Sequence, residues 1–355
     1  MKKVLYLTNI EVPYRVCFFN ELAKHCDLTV LYERKKSSNR NNEWSKSEKH
    51  IFKSKYLNGI KIKAENAFSF GILKEIFSDY DVVIVGCYNS PVQMLAILTM
   101  KILRKPYILS VDGENFINDN SLKTKMKRFF IKGAEKYLVA GEKSADSLKK
   151  AVGDKEVIPY YFSSLYKDEI ENNSKTSFGV KRNDTVLVVG QYFDYKGMDV
   201  ALKAARLDSS IRYKFVGMGN RTQLFIEEQE IMPSDNIEFI PFLQKHQLEE
   251  EYKSCSMVVL PSRQECWGLV INEAASFGTP IVSTWGSGAA VEFISGQFMD
   301  CLAEPDNPQA LYNAIKSLIN SKNKDDYSRF LIEKSKKYCI ENSVKAHMSV
   351  IEDFK

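Results

Sequence analysis

The sequence predicts an α/β protein with two doubly wound parallel sheets. Its 355 residues exceed what one hydrophobic core usually covers, so the length favours two domains. In both halves, short β-branched runs alternate with helical patterns, which is typical of parallel sheets covered by helices. We expect a first domain at 1–165, a second domain at 166–335 with a cleft between the two, and a final helix at 336–355 that packs back on the first domain. The polar, weakly patterned stretch 167–183 is the expected linker.

The expected strands are short apolar runs in both halves of the chain. The first half contains KVLYLTN, DLTVLYE, DVVIVG, PYILSVD, KYLVAG and, leading out, VIPYYF. The second half contains DTVLVVG, RYKFVG, IEFIPF, CSMVVLP and PIVST. Helical patterns such as SPVQMLAILTMKIL and MDVALKAARL lie between them, and the polar segment 34–50 is predicted to be a loop. Ligands of doubly wound sheets bind beyond the carboxyl ends of the strands, so the segments after these runs form the candidate site.

Cysteine and histidine usage argues against a metal site. The seven cysteines are an odd number without a C-x-x-C pair, and the four histidines are scattered. We therefore expect reduced thiols in the cytoplasm and no metal or other cofactor.

The longest apolar runs have the length of strands and do not reach the roughly 18 to 20 residues of a spanning helix. Asn9 and Glu11 interrupt the amino-terminal run, which we interpret as a first strand and not as a signal peptide.

Positive charge is concentrated in the first half of the chain. Residues 1–165 contain 28 Lys and Arg against 18 Asp and Glu, a balance of +10, whereas residues 166–355 contain 22 against 27, a balance of −5. This asymmetry indicates an anionic partner for the first half. The helical stretch around 121–137 is a candidate for docking on an anionic membrane surface, and a solvated helix face is the alternative. Its basic residues include Lys123, Lys125, Lys127 and Arg128.

The segment VVLPSRQECWGLVINEAASFGTPIVST, at 258–284, places two glutamates around a predicted helix start. The helix is expected at about 268–277, and its first turn lacks a Ser, Thr, Asp or Asn that could cap it. Its free backbone donors and the positive end of the helix dipole favour a phosphate group. Glu273 lies one turn past Leu269, near enough to reach a polyol attached to that phosphate, and Glu265 in the preceding loop would contact the group on the other side. A sugar nucleotide has this layout.

These residues and their surroundings resemble the retaining glycosyltransferases of family 4, which have the GT-B fold. The resemblance comprises the two glutamates with Gly268 between them, GTPIVST, VVGQYFDYKGMDVALKAA, FVGMGN and SGAAVEFI. The segments NIEVPYRVCFFNEL and YYFSSLYKDEI further resemble bacterial members that build surface polysaccharides. The resemblance implies a hexosyltransferase that uses a nucleotide-diphosphate sugar and a glycan or lipid-linked acceptor. It also implies a cytoplasmic enzyme, with peripheral attachment to the inner face of the cell membrane as an option, and no nucleic-acid partner.

The resemblance also implies roles for individual residues. In the family, the first glutamate binds hydroxyls of the donor sugar and the second binds the ribose, which implies these roles for Glu265 and Glu273. The lysine of the Lys-Gly pair contacts the diphosphate, so Lys196 would stabilise the leaving group. Gly217 and Gly219 would let the backbone approach the nucleoside. The other residues predicted at the donor site are Gly190, Gln191, Arg263, Cys266, Trp267, Gly268 and Leu269.

One position departs from the family pattern. Members usually carry arginine directly after the glycine that ends the first strand of the second domain, whereas this chain has Gln191 after Gly190. Glutamine donates hydrogen bonds but has no charge, so one of two cations expected at the diphosphate is missing. Arg263 and Arg15 are the candidates to replace it.

Asp112 lies in the region of the first domain where relatives often have a histidine. The front-face mechanism usually proposed for the family lets the departing phosphate take the acceptor's proton, so no dedicated base is required. Asp112 could orient the acceptor hydroxyl or cap the turn at Gly113, and both roles stay open. Asn9 and Arg15 are the other candidates for the acceptor side.

Two further functions stay open on the sequence. A non-catalytic sugar-nucleotide or glycan-binding partner of another transferase would be compatible with the missing charge at Gln191. A phosphorylase-like enzyme would use the same fold with inorganic phosphate. The segment GMGNRT lacks the third glycine of the dinucleotide fingerprint, which argues against a dehydrogenase.

Overall fold

The computed structural model of the chain describes residues 1–35, 49–62, 67–113, 121–230 and 236–354. Most of the polar segment predicted to be a loop therefore lies outside the described residues. No helix in these five ranges combines the length and the apolar content that crossing a bilayer requires.

Two compact units divide the chain. Unit 1 comprises Met1–Ser164 together with Ile340–Lys355, and unit 2 comprises Leu165–Cys339. The chain therefore starts and finishes in unit 1, with unit 2 as one continuous insertion.

Unit 1 is built on a parallel sheet of seven strands. The described strands of unit 1, inside and outside this sheet, are β1 (Lys3–Ile10), β2 (Asp27–Arg34), β3 (Lys53–Tyr56), β4 (Ile60–Lys61), β5 (Ala67–Phe68), β6 (Val82–Val85), β7 (Ile108–Val111), β8 (Lys136–Ala140) and β9 (Glu156–Tyr160). Its first helices are α1 (Pro13–Ala23), α2 (Gly71–Ile76), α3 (Pro91–Ile102), α4 (Leu122–Ile131) and α5 (Glu142–Val152). The order in the sheet is β3-β2-β1-β6-β7-β8-β9, and β4 and β5 form a separate antiparallel pair. The strand order reverses between β1 and β6.

Unit 2 repeats this architecture with six parallel strands. Its strands are β10 (Thr185–Val189), β11 (Arg212–Val216), β12 (Ile237–Ile240), β13 (Met257–Leu260), β14 (Ile281–Thr284) and β15 (Leu302–Ala303). Its helices are α6 (Lys167–Ser177), α7 (Met198–Ala205), α8 (Thr222–Glu228), α9 (Lys245–Ser254), α10 (Leu269–Ser276), α11 (Gly288–Phe293), α12 (Pro308–Asn320) and α13 (Lys324–Lys337). The order is β12-β11-β10-β13-β14-β15, so the strand order reverses between β10 and β13. The two sheets confirm the predicted pair of doubly wound sheets.

The expected linker at 167–183 is wrong for most of its length, because residues Lys167–Ser177 form helix α6. The helix begins with a hydrogen bond from the Tyr166 N–H to the Glu169 carboxylate, at 2.8 Å. A mostly polar helix is stabilised here by few buried groups. Ile170 is buried, and the amide of Asn173 donates to Ser276 Oγ at 3.0 Å. One apolar residue per turn or fewer is too weak a pattern to predict a helix from the sequence.

The last helix, α14 (Ile340–Glu352), lies against α1 and β9 of unit 1. His347 of α14 is buried among aromatic rings, with ring centres 4.7 Å from Phe18 and 4.8 Å from Tyr160. Its Nδ1 donates to the Ser343 carbonyl at 2.8 Å, whereas Nε2 is buried without a hydrogen-bond partner among the described residues. Burial lowers the pKa of His347 to about 4, so the ring is neutral at physiological pH.

Candidate active site

The candidate donor site is built by the loops after β10 and β13, which are neighbours where the strand order of unit 2 reverses. The chain leaves β10 towards Gln191 and forms a short 3-10 turn at Asp194–Lys196. The carbonyl of Tyr195 in this turn accepts hydrogen bonds from the backbone N–H groups of Arg263, at 2.9 Å, and Gln264, at 3.2 Å. The two loops are therefore joined through the backbone, which fixes the side chains that they carry.

Gly197 allows this close approach. It has a φ of +66°, and a Cβ at this position would lie 2.1 Å from the carbonyl oxygen of Pro261. A larger residue would force the loops apart, so the contact explains why glycine follows Lys196.

Lys196 and Glu265 form an ion pair between the two loops. Lys196 Nζ contacts Glu265 Oε2, and the two side chains have exposed fractions of 20% and 17%. The pair is thus accessible to solvent along one side. In this structure the Glu265 carboxylate balances the charge of Lys196. The residues implied to bind the donor sugar and the diphosphate are therefore direct neighbours, although they lie 69 positions apart in the chain.

The backbone at Glu265 is held by a glycine-rich loop that follows β14. The Glu265 N–H donates to the Gly286 carbonyl at 2.8 Å, and the Gly288 N–H donates to the Glu265 carbonyl at 3.2 Å. A Cβ at Gly286 would lie 2.4 Å from the carbonyl oxygen of Arg263, and one at Gly288 would lie 2.4 Å from that of Cys266. Sequence reasoning missed Gly286, although a glycine pair directly after a strand is a signal for close backbone approach.

Helix α10 begins at Leu269 without a side-chain cap, and the predicted helix start is therefore observed. Gly268 has a φ of +107°, and a Cβ there would meet Leu260 at 2.8 Å. Cys266 is exposed beside it. Trp267 does not present its ring to solvent as a donor-site residue would, because the indole is buried and donates to Asn272 Oδ1 at 2.8 Å. Its contribution to the site is limited to its backbone.

Glu273 lies on α10, one turn beyond the helix start. Its carboxylate accepts a hydrogen bond of 2.9 Å from the hydroxyl of Tyr252 on α9. Tyr252 is buried, and burial together with the neighbouring carboxylate raises its pKa well above the usual value. The tyrosine thus stays protonated and fixes one oxygen of Glu273.

The loop after β11 supplies the predicted glycines. Gly217 has a φ of +103° and Gly219 a φ of +58°, and both donate backbone N–H groups to the end of β12 and its next residue. A Cβ at Gly217 would lie 3.3 Å from the carbonyl oxygen of Gly190. The ends of β10 and β11 therefore pack closely, which brings Gly190 and this loop to one edge of the sheet.

Arg263 does not provide the missing cation for a phosphate. Its guanidinium makes five nitrogen–oxygen contacts of 2.7 to 2.9 Å, with the Asp199 carboxylate, the Asp306 carboxylate and the Asp194 carbonyl. A guanidinium has five N–H donors, and all are directed at these acceptors. Arg263 is therefore a structural clamp, and the prediction that it replaces the charge absent at Gln191 is wrong.

In unit 1, Asp112 forms an ion pair with Arg15. Arg15 Nη2 donates to both carboxylate oxygens, and the Tyr160 hydroxyl donates to one of them at 2.9 Å. Arg15 is buried, and its guanidinium lies 5.2 Å from the centre of the Phe162 ring. Asp112 thus balances the charge of Arg15, which argues against Arg15 as a phosphate-binding cation. About a third of the Asp112 side chain remains exposed.

The remaining residues of the acceptor side lie at the carboxyl edge of the unit 1 sheet. Asn9 accepts a hydrogen bond from the Ile10 N–H at 2.9 Å, and Gly113 follows Asp112 with a φ of +100°. Sequence reasoning missed a second polar cluster here, in which His50 Nε2 lies 3.2 Å from the Glu11 carboxylate. These residues come from distant parts of unit 1, so no sequence motif joins them.

The basic helix at 121–137 is shorter than predicted, because α4 ends at Ile131 and Gly133 follows with a φ of +111°. Phe130 and Ile131 at the end of α4 pack against the core of unit 1, but other apolar side chains of the helix are exposed. Leu122 is 80% exposed, Met126 56% and Phe129 49%. At the adjoining end of α3, Ile102 and Leu103 are also exposed, and Lys101 Nζ lies 3.9 Å from the centre of the Phe129 ring. We refer to these five exposed apolar residues as the apolar patch.

Residues 169–341 match the family model described as Glycosyl transferases group 1. The chain contains a group 1 glycosyltransferase domain. The matched residues cover almost all of unit 2, so the candidate donor site lies inside the family domain.

Relatives of this glycosyltransferase include an uncharacterized glycosyltransferase of Methanocaldococcus jannaschii, 26% identical over 265 residues, or 72% of this chain and 70% of the relative. The O-antigen chain mannosyltransferase C of Escherichia coli is 27% identical over 184 residues, and the match spans about half of each chain, 50% and 48%.

Solved structures show the same fold along the whole glycosyltransferase. The complex of Anabaena HepE with UDP-glucose has a TM-score of 0.69 at 18% identity, and 98% of this chain and 100% of that chain are covered. WaaG, a glycosyltransferase involved in lipopolysaccharide biosynthesis, has a TM-score of 0.64 at 14% identity and covers 99% of this chain. These similarities confirm the GT-B fold.

Proposed function

We propose that this glycosyltransferase is a retaining hexosyltransferase of cell-surface polysaccharide synthesis. It would move a hexosyl unit from a nucleotide-diphosphate sugar to a glycan or lipid-linked acceptor, without a metal cofactor. The observation that carries the proposal is the Lys196–Glu265 ion pair beside the uncapped start of α10, with Glu273 one turn further on. Diphosphate, sugar and ribose each have a matching group in this arrangement.

The ion pair suggests how the donor would be bound. A donor diphosphate carries more negative charge than Glu265, so it would compete for Lys196 and for the backbone donors of α10. Glu265, once released from Lys196, would accept hydrogen bonds from hydroxyls of the sugar. As the glycosidic bond breaks, charge grows on the diphosphate, and the fixed ammonium of Lys196 would stabilise it. Asp112, held by Arg15 and Tyr160, would orient the acceptor hydroxyl.

The comparisons support a nucleotide-sugar donor and a role in surface-polysaccharide synthesis. Solved neighbours were crystallised with UDP or UDP-glucose, and the relative from Escherichia coli is an O-antigen chain mannosyltransferase. A thermal-shift screen over uridine, guanosine and adenosine diphosphates would identify the base, because a ligand of the native state raises Tm.

Donor hydrolysis by the isolated protein tests the proposal as a whole. We expect slow release of the hexose with its original anomeric configuration. A binding partner without catalysis would release none above background. A phosphorylase-like enzyme would instead yield sugar phosphate from an oligosaccharide and inorganic phosphate, and inversion of the anomeric centre would contradict the retaining mechanism.

Glu273→Ala should weaken donor binding more than turnover, because the ribose contact is present before and during the reaction. Loss of a hydrogen bond to a charged group predicts a Kd for the matching nucleoside diphosphate about 10- to 100-fold higher, measured by calorimetry. Glu250→Ala, which removes an exposed carboxylate from α9, should leave the Kd unchanged. Unchanged affinity in the Glu273 variant would remove this residue from the site.

We further propose that the protein docks on an anionic membrane through α4. The apolar patch is flanked by basic side chains, including Lys125 and Arg128. An amphipathic helix with an exposed apolar side next to cations is typical of interfacial attachment. Docking at this point would place the protein on the inner face of the cell membrane, where a lipid-linked acceptor is found.

Exchanging Lys123, Lys125, Lys127 and Arg128 for Gln should abolish sedimentation with anionic liposomes. Each basic residue near the surface contributes about 1 kcal/mol, so the partition coefficient should fall at least a hundredfold. Salt should weaken the binding of the unaltered protein, because the Debye length is about 10 Å at 0.1 M. Donor hydrolysis should stay intact, because all proposed donor contacts lie in unit 2. Binding that survives both the substitutions and high salt would disprove charge-dependent docking.

Met126→Ser combined with Phe129→Ser separates the apolar contribution. This variant should keep the salt-dependent encounter but bind liposomes several-fold more weakly. Leu207→Ser, at an exposed apolar position of unit 2, serves as the matched control and should bind normally.

A further inference from the structure

Gln191 stands where the family pattern has an arginine, so the candidate donor site has one cation fewer than the pattern implies. Among the residues that the structure describes, Lys196 provides a positive charge where the loops after β10 and β13 meet. Arg263, the nearest arginine in the chain to Glu265, has its guanidinium donors directed at acceptors of the protein itself. A diphosphate bound here would therefore lack a second positive charge unless another loop supplies one.

The loop after β11 holds Arg221 against the segment that follows Gln191. Arg221 Nη1 donates to the carbonyl of Tyr192 at 2.6 Å, and its guanidinium lies 4.8 Å from the centre of the Phe193 ring. The side chain is thus fixed by a hydrogen bond and a cation–π contact, although it is exposed to solvent. Its charge lies one residue away from position 191, on the carboxyl edge of the adjacent strand.

The charge of Arg221 is available to a ligand. Within the residues that the structure describes, Arg221 makes its contacts with a carbonyl and an aromatic ring, and it forms no ion pair with a carboxylate. A hydrogen bond to one carbonyl uses one of five N–H donors, so the others can donate hydrogen bonds to phosphate oxygens. This distinguishes Arg221 from Arg263, whose charge is balanced by two aspartates.

We infer that Arg221 supplies the second positive charge for the phosphates of the donor and thereby replaces the arginine absent at position 191. The inference rests on the proposed function, because it needs a nucleotide-diphosphate sugar in this site. A charge within about 8 Å of a phosphate at a partly screened surface is sufficient for a change in affinity on the order of tenfold. The loop after β11 would then bind the phosphates as well as the nucleoside.

The test measures the binding of UDP, GDP and ADP, and of the nucleoside that matches the tightest of them, to the full-length protein. Arg221→Gln should raise the Kd for that diphosphate about tenfold and leave the Kd for the nucleoside unchanged. Arg221→Lys should bind the diphosphate within a few-fold of the unaltered protein. In the Arg221→Gln background, the second change Gln191→Arg should restore the affinity.

Arg212→Gln is the matched control. It removes an exposed arginine from the start of β11, at the opposite end of the strand from the loop that carries Arg221, and should have no effect. If Arg221→Gln binds the diphosphate as the unaltered protein does, the inference is wrong. It is also wrong if Arg221→Lys loses as much as Arg221→Gln, or if the nucleoside is lost equally, because both results indicate a structural clamp. If the unaltered protein binds none of the three diphosphates, the proposed function itself fails.

Discussion

Lys196→Ala is expected to lower kcat for sugar transfer by about a hundredfold or more, with a much smaller change in the Kd of the donor. The reason is that the charge on the leaving diphosphate grows as the glycosidic bond breaks, so a contact to it is stronger in the transition state than in the ground state. The measurement is single-turnover transfer or donor hydrolysis at saturating donor. The effect should be larger than that of Glu273→Ala on kcat.

Lys203→Ala provides the control for this substitution. Lys203 lies on α7 and pairs with Asp199 from an exposed position, so its loss removes a nearby cation without removing a donor contact. Lys196→Arg should recover part of the rate, because charge is kept while the geometry changes. Nearly normal turnover in Lys196→Ala would assign the leaving-group role to another residue.

Acid is expected to destabilise unit 1 through His347. The unfolded pKa is 6.5 and burial lowers the folded pKa to about 4, so the native state resists protonation while the unfolded state binds a proton. The stability is fully present above pH 6.5 and is lost as pH falls towards 4. The shift corresponds to a loss of about 3 kcal/mol in the free energy of unfolding over this range.

Chemical denaturation at several pH values checks this expectation. Many carboxylates also titrate in this range, so the informative quantity is the difference between the unaltered protein and His347→Gln. The glutamine amide can still donate to the Ser343 carbonyl but does not titrate. Arg15 nearby opposes protonation of His347 and Asp112 favours it, so both residues should be left unaltered in the comparison. Equal pH dependence of the two proteins would contradict a neutral buried histidine.

Local patterns in the sequence predicted the strands of both sheets and the loop that carries Glu265. The strands in runs such as DTVLVVG and PIVST are buried on both faces. Helices cover both faces of a parallel sheet, so its strands are continuous apolar runs. The end of α10 was equally predictable, because Gly278 and Pro280 follow the helix within a few residues. Glu265 and Glu273 became candidates through their spacing around the start of this helix and through the family resemblance.

Contacts between distant residues could not be predicted in this way. Arg15 and Asp112 are 97 positions apart, and each separately resembles an ordinary functional residue. Arg263 was expected to be available to a phosphate, because the neighbouring sequence gives no sign of its ion pairs with Asp199 and Asp306. The exposure of Met126 and Phe129 was equally hidden, since an amphipathic pattern indicates an apolar side but not what covers it. Arg221 was overlooked because its position beside Tyr192 depends on the pairing of β10 with β11.

The division of unit 1 between both ends of the chain determines when it can fold during synthesis. Val344, Val350 and Ile351 of α14 are buried in unit 1, and Lys2 Nζ donates to the Phe354 carbonyl near the other terminus. Unit 2 is continuous and can acquire its core as soon as it has left the ribosome. Until α14 has been synthesised, residues 1–164 expose the apolar surface that α14 covers in the folded protein. A chain truncated before α14 would therefore contain a folded unit 2 and a unit 1 with exposed apolar surface, which makes unit 1 the half that is prone to aggregate.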